Sequence, residues 1–77
     1  MEFRQLHTFI QAAQLQSFSR AAVQLGYSQS AVTVQIRMLE KELGTRLFDR
    51  MGKQVVLTPQ GQKFLMHANT ILYEVNR

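Results

Sequence analysis

Four polar residues near the middle of the chain recur at three- and four-residue spacing, and their side chains suit hydrogen bonding to the edges of nucleic-acid bases. The amide of Gln29 can pair bidentately with an adenine edge, and the hydroxyls of Ser30 and Thr33 can donate or accept hydrogen bonds. Arg37 can reach a guanine edge or a phosphate. Because this spacing places all four on one face of a helix, it predicts a surface that enters the major groove of duplex DNA.

Three other residues extend this surface, each with an alternative role. Val34 either meets the methyl group of a thymine, or is a tolerated exposed valine, or contacts a neighbouring helix. Lys41 either contacts a phosphate or pairs along its helix with a neighbouring glutamate. Ser28 is a predicted N-cap, and the backbone amides that follow it, like those that follow Ser19, can bind phosphate.

The elements that must position this surface are predicted from apolar stripes, serines and glycines. A first amphipathic helix ends near Gln16, Ser17 or Ser19 caps a second, and Gly26 ends that second helix. The first stripe consists of Phe3, Leu6, Phe9 or Ile10, and Ala13, and the inward residues of the second helix are Phe18, Ala21, Ala22 and Leu25. The small pair of alanines allows another helix to cross closely.

A third helix is predicted between Ser28 and Gly44, after a turn of about three residues that matches helix-turn-helix spacing. Its predicted buried stripe consists of Val32, Ile36, Leu39 and Leu43, and its opposite face carries Ser30, Thr33, Val34, Arg37 and Lys41.

The pattern after Gly44 indicates two brief strands around a glycine-containing turn, over about residues 47–57. We call this hairpin the wing. Arg50 and Lys53 lie near its tip, where they would straddle the DNA backbone or enter an adjacent minor groove. Arg46 and Lys63 are interpreted as surface charges that need no further role.

A last helix of about 19 residues is predicted from the start signal Thr58-Pro59. Its apolar positions recur with the spacing of a coiled coil, which predicts the seam of a homodimer. The alternative is that they cover the small core, a role that we expect mostly of Phe64 and Ala68. The predicted seam consists of Phe64, Leu65, Ala68, Ile71, Leu72 and Val75.

The charge distribution agrees with a surface for a polyanion, because residues 20–63 carry the whole net charge of +4 and both ends are balanced. An anionic membrane and ordinary solubility are the alternatives. The absence of cysteine excludes disulfides and fits a reducing interior such as the cytoplasm, and no apolar run approaches the length of a membrane span. His7 and His67 have no companion at metal-ligand spacing, and no phosphate loop or carboxylate pair is present, so we predict no metal, cofactor or enzymatic activity.

Five segments in order resemble one family across essentially the whole chain. These segments are Ser17 to Ala22, Leu25 to Thr33, Ile36-Arg37 with Leu39-Glu40, Leu43 to Arg50, and Leu57 to Gly61. The chain therefore resembles the N-terminal domain of LysR-type transcriptional regulators. The resemblance implies a mainly helical bacterial winged helix-turn-helix domain over residues 1–58, with the helix-turn-helix at about 18–37, followed by a linker helix over 59–77 that dimerises.

The resemblance also assigns roles to seven residues, and the sequence departs from the common family pattern at two of them. Gln29, Ser30, Thr33, Val34 and Arg37 match the family's recognition-helix contacts, and Arg50 and Lys53 match its wing contacts. Many members have proline in place of Ser30 and a basic or polar residue in place of Val34, so the base preference need not follow the common pattern. Full-length members continue into an effector-binding domain that supports tetramers, so we expect a piece of a longer regulator that itself binds no small molecule.

The resulting prediction is a nucleoid-associated dimer that binds a pseudo-palindromic operator in double-stranded DNA and regulates transcription. The alternative is a protein-interaction module that uses its basic face on an acidic partner.

Overall fold

The computed structural model describes residues 1–76 of the chain, and side chains through residue 75. Four helices and one hairpin follow each other in the order α1 (Phe3–Leu15), α2 (Phe18–Leu25), α3 (Gln29–Leu43), β1 (Phe48–Met51), β2 (Gln54–Leu57) and α4 (Pro59–Asn76). This architecture confirms the predicted mainly helical winged helix-turn-helix. The predicted end of the last helix, Arg77, lies outside the described residues.

Serine caps and left-handed residues set the helix boundaries where the sequence predicts them. The Oγ atoms of Ser17 and Ser28 accept hydrogen bonds from backbone amides of the first turns of α2 and α3, both at 3.1 Å. Gly26 and Gly44 end these helices with φ angles of 75° and 70°. The three residues between α2 and α3 therefore form the predicted tight turn, and Ser17 rather than Ser19 is the cap of α2.

The core is centred on Phe9 of α1, whose ring is fully buried. Its centroid lies 5.4 Å from that of Phe48 and 5.2 Å from that of Phe64, so one aromatic side chain joins α1 to the wing and to α4. The rest of the buried apolar core consists of Leu6, Ile10, Ala12, Ala21, Ala22, Val32, Ile36, Leu39, Leu47, Phe48, Val55 and Ala68.

Two residues of the apolar stripes predicted for the first three helices are exposed. Phe3 is 54% exposed and Leu43 is 36% exposed. Each lies at the end of its helix, Phe3 as the first residue of α1 and Leu43 as the last residue of α3. The helical period places both residues on the apolar faces, but it does not indicate how far the cover of those faces extends toward the helix ends.

The wing is a two-stranded antiparallel hairpin in which Phe48 pairs with Leu57 and Met51 pairs with Gln54. Its turn contains only Gly52 and Lys53, and the φ of 63° at Gly52 explains why glycine occupies this position. The second strand of the wing is attached to the end of α1, since the amide of Val55 donates to the carbonyl of Gln16 at 3.2 Å.

Thr58 joins the end of the wing to the start of α4. Its Oγ1 accepts a hydrogen bond from the amide of Gly61 at 2.9 Å, which confirms the predicted cap, and donates one to the carbonyl of Arg46 at 2.7 Å. A Cβ atom on Gly61 would lie 2.2 Å from the carbonyl oxygen of Leu47. The start of α4 therefore approaches the backbone before the wing so closely that only glycine fits.

Candidate nucleic-acid interface

The exposed face of α3 forms a shallow depression that we call the reading depression. It is lined by Gln29, Ser30, Thr33, Val34 and Arg37. The structure thus brings together all five residues that the sequence assigns to base contacts. Their side chains offer an amide, two hydroxyls, a methyl pair and a guanidinium, a set that can match the donors, acceptors and thymine methyl of a major groove.

Val34 is available to a partner molecule. Its side chain is 52% exposed and lies in the reading depression beside polar neighbours. Within one protomer it is therefore not buried against a neighbouring helix, which leaves a contact with a base or a tolerated exposed valine.

The opposite face of α3 is fixed against the rest of the domain. Val32, Ile36 and Leu39 are fully or almost fully buried. The hydroxyl of Thr8 in α1 also donates a hydrogen bond to the side-chain oxygen of Gln35, and Thr8 itself is fully buried. Sequence patterning does not reveal this pair, because Thr8 lies outside the predicted apolar stripe of α1 and the pattern indicates neither its burial nor its partner.

A second depression lies between α3 and the wing, and we call it the wing cleft. Thr33 and Arg37 line both this cleft and the reading depression, so the two surfaces are continuous. The cleft contains three arginines and two acids among its lining residues, which are Phe18, Thr33, Ile36, Arg37, Glu40, Arg46, Phe48, Asp49, Arg50 and Val55.

Arg46 has a structural contact that the sequence interpretation missed. Its guanidinium donates to the carbonyl of Phe48 at 3.2 Å and lies 3.4 Å from the carboxylate of Asp49. The ion pair is well exposed and contributes little stability by itself. The sequence carries no clear signal for this pairing, because residues three apart are neighbours on a helix, whereas Arg46 lies between α3 and β1 and Asp49 lies in β1.

The remaining predicted contacts surround these depressions. Arg50 lines the wing cleft, and Lys53 lies in the turn at the wing tip. Ser28 caps α3, and Lys41 is exposed in its last turn. Ser28, Lys41 and Lys53 line neither depression, so the structure groups these four predicted positions less tightly than the five of the reading depression.

The residues of the predicted dimer seam on α4 differ in how deeply the protomer buries them. Ala68 is fully buried within the protomer, which agrees with the expectation that this position mostly covers the core. Phe64, Leu65, Ile71 and Leu72 are half-buried and pack against the core, whereas Val75 is 53% exposed. Met66 and Tyr73 are 71% and 65% exposed, and the sequence stripe did not include them because they lie on the other side of the helix.

The described residues hold no cluster of three side chains suited to bind a metal ion. Over residues 1–76, no helix is both long enough and apolar enough to cross a membrane. Every buried polar side-chain atom of this part of the chain has a hydrogen-bond partner.

These features define a class of protein. A tight helix-turn-helix, an exposed third helix with base-matching side chains and a basic hairpin beside it make a winged helix-turn-helix domain. The family model described as bacterial regulatory helix-turn-helix protein, lysR family, matches residues 3–62. The chain belongs to the LysR family of bacterial regulatory helix-turn-helix proteins.

Relatives and solved structures agree with this assignment. YwqM of Bacillus subtilis (strain 168), an uncharacterized HTH-type transcriptional regulator, is 49% identical over 94% of this chain and 25% of its own length. The DNA complex of the CbnR DNA-binding domain superposes with a TM-score of 0.96 at 40% identity and covers 100% of this chain and 88% of that one. The complex of the BenM domain with benA site 1 DNA has a TM-score of 0.93 at 38% identity, covering 99% and 88%. The chain spans about a quarter of the length of the curated relatives it matches.

Proposed function

We propose that this chain is the operator-binding part of a LysR-type transcriptional regulator, and that α3 reads base edges in the major groove. The observation that carries the proposal is the reading depression, in which Gln29, Ser30, Thr33, Val34 and Arg37 meet on one exposed face. The CbnR and BenM domains of nearly the same fold have been solved as DNA complexes, which supports the same use of this surface.

The wing and the helix starts supply contacts to the DNA backbone. Arg50 and Lys53 lie on the wing, where a phosphate or a narrow minor groove adjacent to α3 would meet them. The backbone amides after Ser28 begin a helix of 15 residues, and its N-terminal dipole favours a phosphate. Lys41 would add a phosphate contact at the other end of the same helix.

Two protomers would act together through α4. The half-buried residues Ile71 and Leu72, with the exposed Val75, form an apolar edge that a second copy could cover. The two reading helices would then enter major grooves about 34 Å apart, or a multiple of that distance, on a pseudo-palindromic operator. Assembly into tetramers would require the remainder of a full-length regulator, which would act in the cytoplasm on transcription.

Selection of duplexes from a random pool by the 77-residue chain tests this proposal. We expect a two-fold related site with half-sites separated by whole helical turns. Binding to that site should exceed binding to a scrambled duplex by about a thousandfold or more, and should weaken steeply with salt. Equal affinity for selected and scrambled duplexes would reject operator recognition and would favour a module that binds any acidic partner.

A matched pair of variants distinguishes recognition of bases from a general effect of positive charge on DNA binding. Arg37→Ala should weaken binding to the selected site and relax base preference at one position, because Arg37 lines the reading depression. Lys63→Ala removes the same charge from an exposed position at the start of α4 and should leave base preference unchanged.

A further inference from the structure

Glu40 is an acidic residue in the wall of a surface that we propose to face phosphates. It lines the wing cleft together with Arg37, Arg46 and Arg50. A negative charge there opposes the approach of DNA. If Glu40 supports DNA binding, it must therefore make a contact whose benefit offsets this repulsion.

The contacts of Glu40 connect α3 to the base of the wing. Its Oε2 atom accepts a hydrogen bond from the amide of Leu47 at 2.7 Å and a second, longer one from the amide of Phe48 at 3.3 Å. Hydrogen bonds to an ionised acceptor are stronger than those between neutral groups. One side chain of the reading helix thus holds the two residues at which the wing begins.

The same two residues are also held from the other side. The carbonyl of Leu47 accepts a hydrogen bond from the amide of Thr58 at 3.0 Å, and Gly61 lies directly against it. The ring of Phe48 packs against those of Phe9 and Phe18, with centroids 5.4 Å and 5.3 Å away. The wing base is therefore clamped between α3 and the start of α4, and Glu40 supplies the α3 side of the clamp.

We propose that Glu40 is a positioning residue that sets the wing relative to the reading helix, so that Arg50 and Arg37 meet one DNA duplex in register. This inference rests on the proposed function for its effect on DNA. Its structural part, the attachment of the wing base to α3, stands independently of any DNA.

The geometry of these contacts allows substitutions of Glu40 that distinguish its positioning of the wing from the effect of its negative charge. Both amides bond to one oxygen of Glu40, so the amide oxygen of glutamine can take its place without the charge. Alanine removes both the oxygen and the charge, whereas aspartate keeps the charge on a side chain shorter by one methylene. A pure charge effect would make glutamine and alanine equivalent, while a positioning effect makes glutamine resemble the wild type.

The experiment measures the affinity of Glu40→Gln, Glu40→Ala and Glu40→Asp for the selected duplex at fixed salt. Glu42→Gln and Glu42→Ala are the matched controls, because Glu42 lies on the same helix, carries the same charge and contacts the amino group of Met1 rather than the wing. We expect Glu40→Gln to bind within about twofold of Glu42→Gln, and Glu40→Ala to bind about tenfold more weakly than Glu42→Ala, as expected when charge-assisted bonds are lost.

Two outcomes would overturn the proposal in this arm. One is Glu40→Ala binding as tightly as Glu42→Ala, which would make Glu40 only a repelling charge. The other is Glu40→Asp binding like the wild type, which would show that the charge and not the reach of the side chain matters. The aspartate variant also decides the question if the alanine variant does not fold.

A second arm requires no DNA. Hydrogen exchange of the Leu47 and Phe48 amides in the free protein should be faster in Glu40→Ala and Glu40→Asp than in Glu40→Gln and both Glu42 variants. Unchanged exchange in all variants would refute the attachment itself. If the wild type binds no duplex, the proposed function fails, while this exchange measurement still decides whether Glu40 holds the wing.

Discussion

The hydroxyl of Thr8 donates a hydrogen bond to the side-chain oxygen of Gln35, which joins the middle of α1 to the middle of α3. Thr8 is fully buried, and it lies among the apolar residues that form the core. Gln35 lies on the same side of α3 as the buried Val32, Ile36 and Leu39, so the bond and this apolar face favour the same rotation of the helix. In that rotation the reading depression faces outward.

Replacing Thr8 with valine should destabilise the domain by about 1–3 kcal/mol, because the near-isosteric side chain leaves the Gln35 oxygen without its buried donor. Chemical denaturation of the two proteins measures this loss. Thr8→Ser is the control, since it retains the hydroxyl and should lose less stability than the valine variant. A valine variant as stable as the wild type would show that the bond contributes nothing.

Gly61→Ala should destabilise the domain although alanine is the better helix former by about 1 kcal/mol. The added Cβ would lie 2.2 Å from the carbonyl oxygen of Leu47, so either α4 or the wing base must move. We expect a net loss of about 2 kcal/mol or more, typical of overpacking, in thermal or chemical unfolding. Gln62→Ala, at an exposed position one residue further along α4, should change stability by less than about 0.5 kcal/mol. A Gly61→Ala protein more stable than the wild type would contradict the close approach.

The boundaries of the fold were largely predictable because they depend on local chemistry. Ser17, Gly26, Ser28 and Gly44 occupy the caps that the sequence assigns to them, and Thr58 caps α4. Each of these positions is determined by side chains within a few residues, so no knowledge of the tertiary structure is needed.

Long-range contacts were not predictable in the same way. The sequence pattern indicates no contact of Glu40 beyond its own helix, yet its carboxylate contacts amides seven and eight residues away. Ala68 matched the spacing of a dimer seam and that of a core position equally well, and only the packing of the protomer shows that it is completely buried. Periodicity identifies the face on which a residue lies, whereas the identity of what covers that face depends on the packing of distant segments.

The open question about Val34 can be tested with matched changes in protein and DNA. If Val34 meets a thymine methyl, Val34→Ala should weaken binding to the selected duplex by about fourfold, corresponding to about 0.8 kcal/mol for one buried methyl-sized group. Replacing the contacted thymine with uracil should cause a similar loss, and the two changes together should be less than additive. The measurement is a set of four dissociation constants at one salt concentration.

The control for this cycle is Val23→Ala, because Val23 lies on α2 and is 83% exposed. It should leave the effect of the uracil substitution unchanged. Full additivity of Val34→Ala with uracil at every thymine of the site would indicate that Val34 is a tolerated exposed residue.

The proposed dimer can be tested at Val75, which is 53% exposed in the protomer and lies in line with the half-buried Ile71 and Leu72. Val75→Glu should leave the fold of the protomer intact but weaken self-association about tenfold or more, because a charge would be buried at the seam. Sedimentation equilibrium over a range of concentrations measures the change. Asn69→Glu introduces the same charge at an exposed position of α4 away from this line and should dissociate the dimer far less. A wild-type chain that remains monomeric at high micromolar concentration, or equal dimer dissociation constants for the two variants, would reject the seam and require operator recognition by single protomers.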